Sequence, residues 1–207
     1  MNLSITNIFV IAISITSILA FSNNKIIFRL IDWPYRIKHN GEFYRLLSSG
    51  FIHADWLHLL INMFVFYQFG NIVEQYYQRA YVENGKLFYI LLLLLGVIIP
   101  NLIGYFRNMN NPNYRGLGFS GAVSAVLFAF VVFDPWSKLY LYGIVPIYAI
   151  LAAILYIAYS FWADRKRNDS VNHMAHLTGG IFGILFTILL KPELALYFLQ
   201  QLKQFNL

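Results

Sequence analysis

Six apolar stretches punctuate the chain, at roughly 3–21, 57–74, 86–106, 120–133, 141–162 and 174–190. A helix needs about 20 apolar residues to cross a bilayer, so the pattern predicts an all-α membrane protein built as a six-transmembrane-helix bundle. The fourth stretch is the exception. Its span of about 21 Å, at 1.5 Å per residue, falls short of about 30 Å of hydrocarbon. Such a helix starts below the membrane surface, near Ser120. The segment before it, "RNMNNPNYRGLG", is polar and glycine-rich. Irregular backbone at that depth is tolerated only where protein buries it or water reaches it. The short helix therefore predicts a water-filled cavity that ends at Ser120.

The connector 22–56 is long and carries "IDWPYRI" and "YRLLSSGFIHADW". Its mixture of Trp, Tyr, Phe, Arg and His suits the membrane interface, where amphipathic rings settle. No repeat, low-complexity tract or linker divides the sequence, which predicts a single transmembrane domain over 1–207, with a core at about 42–190. The first apolar run is read as an anchor. No Lys or Arg precedes it, and the site after Ala20 is a poor cleavage signal.

Composition agrees with the pattern. Of 207 residues 59% are hydrophobic, 18% aromatic and only 12% charged, whereas soluble domains carry about 25% charge. There is no cysteine, which excludes disulfides and thiolate metal sites. The net charge of +6 lies mostly in loops, where its expected partner is the lipid bilayer. No basic patch interleaved with aromatics points to nucleic acid. A zinc site is disfavoured as well, because His-Glu-x-x-His is missing. No cofactor or metal is expected.

Ser120 stands in Gly-x-Ser-Gly. That tetrapeptide arises by chance in roughly one chain of this length in fifteen, so alone it does not separate a nucleophile from a helix cap. Gly116, Gly118 and Gly121 let the backbone turn sharply and approach a substrate. A helix N-terminus also offers unpaired N–H groups to a developing oxyanion. A serine nucleophile needs a base. Among five histidines, His176 lies beside a small-residue stripe, Ala175, Gly179 and Gly183, which matches Gly121, Ala125 and Ala129 in the short helix. Two such stripes let helices pack closely and bring Ser120 and His176 within reach of one another. His173 is a spare candidate one turn earlier. The other reading of His176 is a structural interhelical contact. His58 and Asn62, at i and i+4, share one face of the second span. They are either oxyanion donors or bundle-stabilising polar contacts. His53 points off that face and is expected to structure a loop.

In this order and spacing, Gly118-Phe119-Ser120-Gly121, Ala175-His176 with Gly179, and His53-x4-His58-x3-Asn62 resemble the rhomboid intramembrane serine proteases. Tyr44-Arg45 is similar to the family's Trp-Arg loop motif. Gly70-x3-Glu74 is similar to the start of its Gly-x3-Glu-x3-Gly motif, with Gln78 in place of the last glycine. Asn84-Gly85-Lys86 resembles the opening of its third helix. The resemblance runs from about residue 42 to 186. It implies a serine endopeptidase with Ser120 as nucleophile and His176 as general base. His58, Asn62 and the Ser120 N–H would line the oxyanion hole. Gly118, Gly121, His53, Arg45 and Glu74 would support the site. Transmembrane segments of other proteins would be the substrates, with the fifth helix bordering their lateral access. Family members often carry a Tyr four residues after the serine, stacked on the catalytic imidazole. Ser124 stands there instead, so that stacking is expected to be missing, with the Ser124 hydroxyl or the Asn172 amide as substitutes.

The alternatives are a catalytically inactive rhomboid-like protein that binds membrane clients and a small transporter. Intact Ser120 and His176 oppose the first. The second lacks a charged residue deep in a span to couple ions. The resemblance implies a cell-membrane protein with its N-terminus in the cytoplasm. Charge counting points the other way. Ten Lys and Arg lie in 22–56, 106–119 and 163–173, against Arg79, Lys86, Lys138, Lys191 and Lys203 on the other side. The positive-inside rule then turns the Ser120 side toward the cytoplasm.

Overall fold

A computed structural model describes residues 3–141, 145–166 and 173–204. The elements in order are α1 (Ile5–Phe21), α2 (Asn24–Leu30), α3 (Pro34–Asn40), α4 (Arg45–Ser48) with a 3-10 turn at Ser49–Phe51, α5 (Trp56–Ala80), α6 (Gly85–Asn108) and α7 (Ser120–Phe133). A two-stranded hairpin follows, β1 (Lys138–Leu141) and β2 (Val145–Tyr148), then α8 (Ala149–Lys166), α9 (His173–Leu190) and α10 (Glu193–Lys203).

The centre is α7. Eleven of its fourteen residues are buried, and it contacts α5, α6, α8, α9 and α10. A helix apolar all round is stable only inside such a ring of neighbours. The closest approach is to α9. A methyl group on Gly179 would overlap the backbone of Gly121, and one on Gly183 would overlap the backbone of Ala125. On the opposite side α6 contributes Pro100, which has no N–H for the Gly96 carbonyl. That carbonyl faces Gly121, and a Cβ there would sit 2.6 Å from its oxygen.

Among the described residues, two helices are long and apolar enough to cross a membrane, Trp56–Ala80 and Gly85–Asn108. A third qualifies if α9 and α10, bent by 114° at residues 191–192, count as one span. α1, α7 and Ala149–Ala158 are shorter apolar helices. One expectation needs correction. The all-α reading misses the hairpin, in which Lys138 pairs with Tyr148 and Leu141 with Val145. The fifth helix therefore starts at Ala149 and not at 141. Pro146 explains the difference, since a proline at that point blocks a helix interior and is tolerated on an edge strand. Glu74, in the last third of α5, is a buried charge, 4% exposed.

Glu74 has a structural assignment. Its carboxylate accepts from the N–H of Ile5 (3.0 Å) and of Thr6 (2.9 Å), and from the Thr6 hydroxyl (2.8 Å). The first amides of a helix have no partner within it, and a negative charge there complements the helix dipole. Glu74 thus holds the start of α1 against α5. The glycine missing at position 78 is supplied from across the contact: Gly85, first residue of α6, lies so close to Gln78 and Tyr77 that a Cβ would meet their backbone.

Candidate active site

The loop preceding α7 is irregular, so its amides need partners from elsewhere. They come from the connector between α1 and α5. Asp32 and Gly116 exchange backbone hydrogen bonds of 2.9 and 3.0 Å. The Gly118 N–H donates to the Ser49 carbonyl (2.9 Å), and the Phe119 N–H donates to His53 Nε2 (3.4 Å). Three fixed points over four residues aim Ser120 from the head of α7. Gly118 has φ +112°, a conformation that disfavours any side chain. A Cβ there would come within 2.8 Å of the His58 ring. Gly118 is therefore what lets the His58 imidazole lie beside the backbone leading into Ser120.

The connector is rigid in its turn. Arg45 is 2% exposed and donates through one guanidinium nitrogen to the carbonyls of Phe28 and Ile31, each at 2.9 Å. Its Nε pairs with Glu42. One always-charged fork joins three turns of the connector, which suits Arg better than Lys. Asn101 of α6 donates to the Leu46 carbonyl (2.9 Å) and to Ser49 Oγ (3.0 Å), tying the same connector to the bundle.

His53 is fully buried. Since Nε2 accepts from Phe119, Nδ1 carries the proton and donates to Ser17 Oγ, 3.0 Å away. Burial, aided by neighbouring His58, pushes its pKa down to about 3, so it is a neutral brace. Its ring meets His58 edge-on at 4.9 Å. His53 is thus next to His58, closer than its position in sequence suggests. The Asn62 side-chain amide donates to the His58 carbonyl at 2.9 Å. An amide nitrogen carries two hydrogens, so one remains for another acceptor.

His176 lies one turn before Gly179 on α9, as Ser120 lies one residue before Gly121 on α7. The contact between these glycines puts Ser120 and His176 on the same, N-terminal side of the seam. A second connection was not legible in the sequence. Tyr156 of α8 stacks on the His176 ring, with centroids 5.8 Å apart and planes at 19°. Its hydroxyl is 2.9 Å from Ser124 Oγ. The expected lack of an aromatic ring on His176 is therefore wrong: the ring comes from α8, and Ser124 reaches it instead of reaching His176. The Asn172 alternative and the His173 side chain lie outside the described residues.

This arrangement has relatives. A profile of the rhomboid domain matches residues 40–193. The chain belongs to the rhomboid family. It is 29% identical over 150 residues to the Arabidopsis thaliana RHOMBOID-like protein 12, mitochondrial, with 68% of this chain and 44% of that protein aligned. It is 29% identical over 170 residues to Rhomboid-like protein 11, chloroplastic, of the same plant, with 74% and 55% aligned. Against the Rhomboid protease GlpG of Haemophilus influenzae it is 30% identical over 99 residues, covering 47% of this rhomboid and 45% of the protease. The chain spans about half the length of the curated relatives it matches.

Proposed function

We propose that this rhomboid is an intramembrane serine endopeptidase that cleaves transmembrane segments of other membrane proteins. The observation that carries the reading is the α7–α9 seam. Gly121 and Gly179 meet there, and Ser120 and His176 lie on the N-terminal side of that contact, one and three residues away, which supports pairing them as nucleophile and base. In this mechanism His176 takes the proton from Ser120 Oγ as the oxygen attacks the scissile carbonyl carbon. The oxyanion receives hydrogen bonds from the Ser120 N–H, the His58 ring and the free amide hydrogen of Asn62. Collapse of the intermediate breaks the C–N bond, and His176 protonates the departing nitrogen. Water, activated by the same imidazole, then releases the acyl group from Ser120.

One transmembrane domain spans 1–207, with six membrane-crossing helices in a cell membrane. A polar cavity admits water above Ser120, and a substrate helix arrives laterally past α8. It must unwind locally, because helical carbonyls are occupied by their own amides. The deciding experiment is labelling of the purified protein by a fluorophosphonate, with cleavage of a transmembrane reporter, compared with Ser120→Ala. Labelling and cleavage confined to the unmodified serine support the protease. A folded protein that binds the reporter and is never labelled at Ser120 would make it a client-binding protein.

A further inference from the structure

We propose that Tyr156 is the positioning residue for the His176 imidazole, set in place through its hydroxyl by Ser124. The proposal rests on the protease reading and adds to it a residue from outside the α7–α9 pair.

Tyr156 has three neighbours on α7 and α9. His176 lies against its face, parallel within 19° and 5.8 Å away. The Ser124 hydroxyl holds its phenol at 2.9 Å. Phe128 lies 6.1 Å off at 48°. Ser124 and Phe128 are four residues apart on α7, so one helical face grips both the phenol and the ring. Phe128 is itself seated against Gly180 of α9, where a Cβ would be 2.7 Å from its ring. Along the same stretch of α8, Leu151, Ile154 and Leu155 are exposed. Tyr156 is thus the side chain by which this part of α8 reaches the proposed dyad.

A general base has to keep its nitrogen aimed at the nucleophile, and rotation of an imidazole about its side-chain bonds spoils the aim. A ring stacked on one face restricts that rotation. The stack gains a second importance during turnover. After taking the Ser120 proton, His176 is an imidazolium, and a cation within about 6 Å of a tyrosine ring centroid is attracted by its π face. That attraction is greater after proton transfer than before, so it lowers the barrier and leaves substrate affinity alone.

The test uses the full chain in detergent, with four variants: Tyr156→Leu, Tyr156→Phe, Ser124→Ala and the Tyr156→Phe/Ser124→Ala pair. Tyr156→Leu should lower kcat roughly 2- to 30-fold with KM and thermal midpoint unchanged. Tyr156→Phe keeps the stack and should recover most of that loss. Ser124→Ala should match Tyr156→Phe, and the double variant should be no slower than either, because both remove one hydrogen bond. An activity-independent reading comes from histidine ring protons in NMR. Those of His176 should be shifted by the Tyr156 ring current, lose that shift in Tyr156→Leu and keep it in Tyr156→Phe. An active enzyme whose Tyr156→Leu variant keeps its kcat, or whose His176 signals do not move, overturns the positioning role and leaves the protease standing. A wild type that neither labels nor cleaves removes both together.

Discussion

Asp32 and His53 are buried ionisable residues of the connector, and their titrations oppose each other. Burial raises Asp32 from 3.8 to about 7, with Arg45 pulling the other way, and lowers His53 from 6.5 to about 3. Between about pH 4 and 6.5 the folded chain keeps the Asp32 proton and leaves His53 bare, while the unfolded chain does the reverse. The proton counts then match, and these two groups give no net slope of stability with pH. Asp32→Asn removes the half that weakens the fold as pH rises. The contribution of His53, no longer offset, then makes stability climb with pH across this range by up to about 1.4 kcal/mol per unit more than in the wild type. Thermal unfolding at pH 4.5, 5.5 and 6.5 should show stability rising more steeply with pH in the variant than in the wild type. At pH 8 the variant should be the more stable, because the charged carboxylate has no hydrogen-bond partner. Ser120→Ala and His176→Ala should each abolish reporter cleavage with the fold retained, and His173→Ala should be much milder. His58→Ala and Asn62→Ala should each cost up to roughly 10²–10³-fold in turnover if they are principal oxyanion donors. A loss that only tracks lost thermal stability would make them structural.

Element by element, the seam between α7 and α9 tolerates least. Gly179→Ala and Gly183→Ala both push a methyl into backbone, which cannot rotate away as a side chain can. Each should lower stability by about 1–3 kcal/mol and reduce turnover as well, seen in denaturation and cleavage of the same samples. Glu74→Gln leaves helix α1 with a weaker acceptor for two amides and a hydroxyl. It should cost about 1–3 kcal/mol and expose the first residues of α1 to limited proteolysis. Much of this framework was legible in the sequence. The ends of α7 were clear, because glycines and polar residues precede Ser120 and Asp134-Pro135 follow Phe133. The stripes of small residues gave the partner helix. The hairpin was not legible. "KLYL" and "VPIY" are short apolar runs continuous with the apolar start of α8, and periodicity cannot separate such runs from helix. Pro146 was the available signal. Helix α10 is too short to stand out as a membrane-length apolar run, although Pro192 marks its start. Tyr156 offered no sequence signal at all, since its role depends on where α8 lies against α7 and α9.

At the scale of the molecule, the site is assembled from parts that hold it from different sides. The connector fixes the loop before Ser120, α9 and α7 meet through glycines, and α8 delivers a ring through Tyr156. The most enclosed part is α7, apolar apart from Ser120 and Ser124 and ringed by five other helices. Its interior amides cannot meet solvent unless those neighbours separate, so their hydrogen exchange reports the opening of the whole bundle. In deuterated buffer residues 124–133 should be the last to exchange. The amides at the head of the helix, which have no partner within it, should exchange early, giving α7 a protection gradient that runs from the Ser120 end to the far one. Helix α8, with its exposed outer face, should exchange well before the centre of α7, and a reversal of that order would mean that the bundle opens from within.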